Sequence, residues 1–414
     1  MDFDLPSDDH PTRRKVREWI ASNPAPTGAD LHAAGYVVPH WPAPWGLDAD
    51  PIDQLIIDDE LAKAKIRRPN NAIGIGWAAP TILLAGTPEQ HERFLDPIFT
   101  GEEFWCQLFS EPDAGSDLAA LGTRAELDGD EYVINGSKIW SSGAHHSTFG
   151  ILIARTDPDL PKHKGVSYFI MPMDSEGLSM SPIVDMTTAH SFNQVFFDDV
   201  RIPASMRVGE EGDGWRLAKV TLSNERVSLS SAGSLWGVGP SAEELLDLAR
   251  ASGGISDPQL RDRAVRLHIE AELLRLNRFR SLSATLQGRT PGAEASIQKI
   301  MADDHGQAVM SLAKDLSGAD GMLAGSGPAG VVPTSSQNGP TEVNFARGEG
   351  SQFPDVDPIW HYGYLFHPAL TLGGGTFAVQ RNIVAEQVLG LPREPDLERG
   401  KSWAESRRDA ASVA

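Results

Sequence analysis

One change of apolar periodicity limits what this chain can fold into. Across residues 106–210 the apolar and β-branched residues come in short runs parted by turn residues, while both flanks carry helical spacing. The runs are Phe104–Ser110, Thr123–Leu127, Gly150–Ala154, Val166–Met171, Ile183–Met186 and Val195–Ile202. Asp128-Gly129 and Asn135-Gly136 are turn dipeptides, the second reading as a tight hairpin, and Pro203 ends the set. The pattern predicts a compact antiparallel β domain between two helical regions, an α+β multidomain chain.

The flanks are read in the same way. Thr12–Ser22 and Asp53–Lys65 are amphipathic, with Asp53 placed to cap the second. Ile73–Leu84 is nearly all apolar, which predicts a helix buried on most sides. Thr87-Pro88 reads as an N-cap followed by proline at the first helical position. Between these segments the Pro-rich stretch Val38–Trp45 is too stiff for helix, and its two Trp residues are expected to pack over the core. From Gly214 onward four helices are predicted, near 215–250, 258–287, 292–318 and 366–389, and such a series makes a four-helix bundle. The Gly/Pro/Ser-rich connection 324–360 is too long for a bundle turn, and the polar tail after Pro395 is expected to fray. The domains so drawn are 1–105, 106–213 and 214–395, with 396–414 as a tail.

Charge and cysteine usage remove several classes of function. The 414 residues hold 36 Lys+Arg against 57 Asp+Glu, a formal charge of -21. Nucleic acid and anionic membrane surfaces reward clustered positive charge, so neither is an expected partner. Cys106 is the single cysteine, which excludes an internal disulfide and a Cys-rich metal site. The N-terminus is acidic without an apolar segment, and no run reaches the roughly 18–20 apolar residues that span a bilayer. A soluble, cytoplasmic protein is expected.

Chemistry concentrates in Gln107–Ser142. The turn Glu111-Pro112-Asp113-Ala114-Gly115-Ser116-Asp117 offers tight backbone and exposed N–H groups, the makings of an anion-binding concavity. Farther on, Trp140-Ser141-Ser142-Gly143 sets a flat apolar wall beside two hydroxyls. Each piece alone is an ordinary turn or a core aromatic. In this order, however, Phe104–Ser142 resembles the flavin-binding segment of the acyl-CoA dehydrogenase family, with Asp113 in place of the first Gly of Pro-Gly-Ala-Gly-Ser-Asp. The likeness extends over residues 30–392, including Phe196–Pro203 and Gln380–Glu386.

That resemblance implies FAD as cofactor, an acyl-CoA thioester as substrate and an electron-transfer flavoprotein as acceptor. It assigns Phe109, Ser110, Gly115, Ser116, Trp140, Ser141, Ser142 and Thr376 to the cofactor, and Ser116 with Arg226 to the substrate. Gly318 and Gly321 match a turn that reaches the FAD of a neighbouring subunit, which implies a homo-oligomer or a mixed-subunit tetramer. One branch of the family places its catalytic Glu where this chain has Gly374, which cannot act as a base, although its N–H matches the amide that holds the thioester oxygen. A second branch, isovaleryl- and long-chain-like, places the Glu at the position of Glu225.

Helical spacing supports Glu225 independently. Ala218, Leu222, Glu225, Leu229, Ala232 and Trp236 lie on one face, and Glu225 is its only charged member. Arg226 projects roughly 100° away. From this pattern alone a general base and a structurally paired Glu both stay open. The region Arg250–Pro258 lacks the Phe-Gly pair of many relatives, so a flavin-sharing, non-catalytic subunit is a second reading and an oxygen-using acyl-CoA oxidase a third. His145-His146 are read as loop residues that point apart and share no metal.

Overall fold

Proline and capping side chains set where the N-terminal helices begin. The computed structural model describes residues 6–187, 189–229, 234–235, 239–286, 292–319, 358–395 and 398–413. Its first helices are α1 (Pro11–Ser22), α2 (Gly28–Ala33), α3 (Pro51–Lys63), α4 (Ala79–Ala85) and α5 (Pro88–Thr100). Thr87 and Gln90 form a capping box before α5, with Pro88 at its first position as expected. The cap of α3 is Asp50 rather than Asp53, its carboxylate accepting from the N–H groups of Ile52 and Asp53. A π-turn, Gly74–Ala78, leads into α4. Trp41 is buried and packs edge-on against Phe99, while Trp45 packs against the same core.

The middle region holds β1 (Trp105–Leu108), β2 (Arg124–Asp128), β3 (Glu131–Ser142), β4 (Phe149–Arg155), β5 (Val166–Pro172), β6 (Leu178–Ile183), β7 (Phe192–Pro203) and β8 (Arg207–Val208). They pair in the order β6-β7-β3-β2-β4-β5-β8, with β1 beside β4. The sheet is mixed rather than wholly antiparallel, because β1 and β2 both meet β4 in parallel. The β2–β3 hairpin intervenes between β1 and β4, and that excursion lets the chain return in its original direction. The run Ile183–Met186 overlaps β6 only at Ile183.

Both faces of this sheet are covered, which explains the continuous apolar runs of β4 and β5. Ile151, Ile153, Tyr168 and Ile170 pack with the N-terminal helices and with Leu217 and Ala218. Their neighbours Leu152, Ala154, Phe169 and Met171 turn the other way, onto Ile134, Val195 and Val200. The two turn dipeptides play different parts. Asp128-Gly129 closes the β2–β3 hairpin, whereas Asn135-Gly136 lies inside β3 at a register shift. Asn135 exchanges hydrogen bonds with Asp199, and a Cβ on Gly136 would sit 2.6 Å from Thr123 Oγ1. Glycine is required there by the close approach of Thr123, just before β2, and by its own φ of +143°, not by a turn.

The C-terminal region is helical but more broken than its periodicity predicts. It comprises α6 (Gly214–Leu229), α7 (Ala242–Ala251), α8 (Pro258–Leu286), α9 (Ala295–Ser317), α10 (Pro358–Phe366) and α11 (Phe377–Ile383). A capping box, Ser241 with Glu244, starts α7 as a helix of its own. Residues 320–357, and with them nearly all of the long Gly/Pro/Ser-rich connection, lie outside the described residues. The tail departs most from expectation. Instead of fraying, it forms α12 (Trp403–Val413) and packs against the β domain. Among the described residues no helix is long and apolar enough to cross a membrane.

The two glycines give a direct check on this packing. Gly136→Ala should lower stability by about 2–3 kcal/mol, because the new methyl overlaps Thr123. Gly129→Ala, with φ of +67° but open space around it, should cost only about 1 kcal/mol. Thermal unfolding of the two variants side by side would reveal the difference.

Candidate active site

A buried ion pair fixes the turn that follows β1. Lys138 is fully buried on β3 and donates to Glu111 Oε1 at 2.8 Å and to the Phe109 carbonyl at 2.9 Å. Glu111 also accepts from the N–H groups of Gly122 and Thr123 at 2.7 and 2.9 Å. Burial alone would raise the Glu111 pKa, but the Lys138 charge and these donors carry it below the ordinary carboxylate range. Ile139 N–H donates to the Ser110 carbonyl, so residues 109–111 are stitched along β3. Beyond them Asp113, Gly115, Ser116 and Asp117 stand exposed, and a Cβ built on Gly115 would meet nothing within 4 Å. The turn is rigid at its base and open at its tip.

A bulge aims Trp140 outward. The β3–β7 register shifts between Lys138 and Ser141, and Trp140 takes a left-handed φ of +61°. Its ring is 57 % exposed and meets Phe192 edge-on at 5.9 Å. Ser142 is half-buried, but Ser141 is fully buried on the inward side of the strand, where its hydroxyl has no hydrogen-bond partner among the described residues. Its side chain therefore lies on the side of the strand away from the exposed Trp140 ring. Phe109 is buried too, packing edge-on against Tyr168.

The histidines that follow do not point apart. A tight turn, Ala144–His146, brings the His145 and His146 rings to 3.9 Å, and His145 stacks on His190 at 4.3 Å. Asn193 binds both neighbours, accepting from His190 Nε2 and donating to His145 Nδ1, each at 2.9 Å. Burial, with two imidazoles alongside, pushes the His145 pKa down to about 4. Among the described residues no group of three or more His, Cys, Asp or Glu side chains is placed to hold a metal.

Glu225 lies one helical turn after an anchored threonine. Thr221 Oγ1 is within 2.8 Å of Thr81 Oγ1 and 3.0 Å of the Tyr168 hydroxyl, tying α6 to α4 and β5 inside the core. Glu225 is 7 % exposed and accepts a hydrogen bond from Gln107 Nε2 at 3.4 Å. The backbone of Gly374 bonds the same carboxylate. Burial raises its pKa to about 7, against the opposing influence of Gln107, Arg226, Lys299 and Gly374. Two positions far apart in the chain, each matched to the chemistry by resemblance, thus meet at one point. Arg226 is half-buried, donating to Ser223 Oγ at 3.0 Å, and burial lowers its pKa. Of the apolar stripe, Ala218 is buried and Leu222 half-buried, while Ala232 and Trp236 lie outside the described residues.

The segment bearing Gly374 is held from two sides. Gly374 and Gly375 have φ of +70° and +87°, and Gln380 Nε2 donates to the Gly374 carbonyl at 2.8 Å. The Thr376 hydroxyl caps α11 by accepting from Val379 N–H. Lys299, fully buried, pairs with Asp303 and donates to the Leu370 carbonyl at 3.0 Å, which pins α9 to the turn just upstream. Gly318 is exposed at the end of α9, and Gly321 lies outside the described residues.

Reasoning from sequence missed Gln107, Lys138 and Lys299. Alternation in β1 would have shown Gln107 on the side opposite Leu108, but nothing local says that this side faces a carboxylate 118 positions later. Lys138 is a lone cation in a buried strand, and that mismatch was the available clue. The exposed face of Trp140, the open tip at Gly115-Ser116 and the hydroxyls of Ser110 and Ser142 fit an aromatic cofactor with a phosphate tail.

Known proteins match most of the chain. Three family models match in succession: acyl-CoA dehydrogenase N-terminal domain over residues 10–102, middle domain over 106–200 and C-terminal domain over 212–389. The acyl-CoA dehydrogenase IpdE1 of Mycobacterium tuberculosis is 36% identical over 409 residues, covering 92% of this chain and 97% of that protein. The acyl-CoA dehydrogenase FadE34 of the same organism is 40% identical over 364 residues, 88% of this chain but 46% of FadE34, so the chain spans under half of that relative's length. Among solved structures, the Tcur3481-Tcur3483 steroid ACAD aligns with a TM-score of 0.74 at 28% identity, over 95% of this chain and 100% of that one. The ChsE4-ChsE5 complex from Mycobacterium tuberculosis aligns at 0.72 and 28%, with the same coverage. The chain belongs to the acyl-CoA dehydrogenase family, whose members depend on FAD.

Proposed function

We propose that this protein removes two hydrogens from the α and β carbons of an acyl-CoA thioester, with Glu225 as the base that takes the α proton. The observation that carries this reading is the placement of the Glu225 carboxylate: withdrawn from water, and bonded by both Gln107 and the Gly374 backbone. A carboxylate so placed is basic enough near neutral pH to accept a proton from carbon, which an exposed Glu is not. The Gly374 N–H is a donor at the same spot, suited to a thioester oxygen as enolate charge develops. Trp140, Ser110, Ser142 and the Gly115-Ser116 turn would hold FAD. When bound, FAD would supply the acceptor for the β hydride. Thr376 would add a cofactor contact, with Gly318 and Gly321 directed to a neighbouring subunit. Ser116 and Arg226 are proposed to face the CoA ester, locally offsetting the negative field of the whole chain.

The re-oxidant is proposed to be an electron-transfer flavoprotein, and the assembly a homo-oligomer or a mixed-subunit tetramer in the cytoplasm. Two aligned structures pair two named components, Tcur3481 with Tcur3483 and ChsE4 with ChsE5, and the first is a steroid ACAD. Ring-bearing CoA esters are therefore the first substrates to screen, ahead of straight and branched chains. Peroxide formed in step with substrate loss would replace the flavoprotein acceptor by oxygen. Absence of flavin from the purified chain, restored by a partner, would favour the flavin-sharing subunit.

Three outcomes follow. Under anaerobic conditions an accepted acyl-CoA should bleach the flavin, and Glu225→Gln should slow bleaching about 10²–10⁴-fold; a variant that bleached at the normal rate would remove the base assignment. In wild type, kcat/KM should rise with pH through a midpoint near 7 to an alkaline plateau, and Gln107→Leu should move that rise to higher pH, because Gln107 stabilises the ionised form. The third outcome concerns stability. The folded protein holds the Glu225 proton more tightly than the unfolded chain, so its contribution is fully present below about pH 4.5 and is lost as pH rises through about 7. Glu225→Gln removes that loss. Denaturation at pH 8 should find the variant more stable by on the order of 3 kcal/mol, with the gap closing toward pH 5.

A further inference from the structure

The polar tail ends in a helix that the dehydrogenation chemistry does not call for. Ser402 and Glu405 form a capping box, with Ser402 N–H donating to Glu405 Oε2 at 2.8 Å and Glu405 N–H donating to Ser402 Oγ at 3.2 Å. This starts α12 at Trp403, on the surface of the β domain. Trp403 N–H donates to the Leu160 carbonyl at 2.9 Å and Ala404 N–H to the Pro158 carbonyl at 3.0 Å. The Trp403 indole N–H donates to the Ala120 carbonyl at 3.1 Å. Ala120 belongs to the 3-10 turn Leu118–Ala120, directly after the exposed Gly115-Ser116-Asp117.

A second, independent set of contacts converges on the same turn. Arg155, buried on β4, donates to the carbonyls of Ala119, Leu121 and Lys162, which joins the turn to the 156–165 loop. Its guanidinium lies 4.8 Å from the Trp403 ring centre, and that of Arg407 lies 5.6 Å from it. At the tip, Lys162 Nζ bridges Asp117 at 2.9 Å and Glu398 at 2.7 Å. The residue after this stretch, Gly122, gives its N–H to Glu111. The turn is therefore gripped on one flank by the Lys138–Glu111 pair and on the other by residues of the tail.

We propose that the C-terminal segment 398–413, through Trp403 and the Glu398–Lys162–Asp117 bridge, is a latch that holds the Gly115–Gly122 turn in its cofactor-binding shape. Trp403 is a positioning residue: it touches the back of the turn, not the face left open for a ligand. This inference rests on the reading of Gly115-Ser116 as an FAD contact. A latched turn offers its N–H groups already ordered, so binding spends no free energy on fixing them.

The test uses the full chain, stripped of flavin and titrated with FAD by fluorescence quenching, with hydrogen exchange at residues 113–122 as a second readout. Trp403→Ala should weaken FAD binding about tenfold, the equivalent of one lost positioning interaction, and should speed exchange at 118–122. Trp403→Phe, which keeps the ring over Arg155 but loses the indole N–H, should recover part of the affinity. Lys162→Met removes the bridge from a partly exposed side and gives a second variant should Trp403→Ala fail to fold; it should weaken FAD by a smaller factor. A folded Trp403→Ala protein with a lower melting temperature but unchanged FAD affinity would overturn the latch, as would unchanged affinity in Lys162→Met together with Trp403→Phe. Wild type that takes up no FAD would instead sink the flavin reading itself.

Discussion

The site depends on one carboxylate kept away from water. Glu225 is buried on the inward side of α6, and the cost of ionising it there is what raises its pKa to about 7. The fold tolerates this because the helix is not free to rotate or withdraw. The Thr81–Thr221–Tyr168 hydroxyl cluster locks α6 to both the N-terminal helices and β5. Since β5 is buried on both faces, its own position is set by two hydrophobic layers at once. The carboxylate is thus placed by all three regions of the chain. That is a physical reason for the helical, β and helical parts to occur together in one protein.

The cofactor side is built on a different principle. There the rigid component is charged and buried, and the ligand-facing component is exposed. Lys138 and Glu111 are stable in the interior because each charge is paired and hydrogen-bonded: the ammonium to a carboxylate and a carbonyl, the carboxylate also to two backbone N–H groups. Such a pair adds little net stability but resists displacement, since removing either member strands the other. The strand bulge at Trp140 does corresponding work on the opposite wall, trading regular pairing for an aromatic ring turned out of the sheet.

Much of this was legible in the sequence, for identifiable reasons. Periodicity located the sheet and most helices because burial on one or two faces leaves its period in the residue types. Glu225 stood out because a charge on an apolar stripe is a local contradiction that only function or pairing resolves. The misreadings share a cause, which is that local composition was overridden by a distant neighbour. Asn135-Gly136 looks like a hairpin turn, but Thr123, just before β2, is what needs the glycine. His145 and His146 would diverge in extended chain, but a 3-10 turn gathers their rings, and Asn193 ties His145 to His190. The tail reads as polar overhang until Ser402-Trp403-Ala404-Glu405 is recognised as a capping box with an aromatic inside it. Gln107 was invisible because its partner lies on another domain.

The central claim concerns the protonation of one side chain, and it can be measured without turnover. Infrared difference titration of the flavin-loaded protein, with Glu225→Gln subtracted to isolate the carboxyl band, reads that protonation directly. A band that titrates near pH 7 is the predicted result. A Glu225 carboxyl already ionised below pH 5 would mean a solvated or structurally paired group, and would contradict the account.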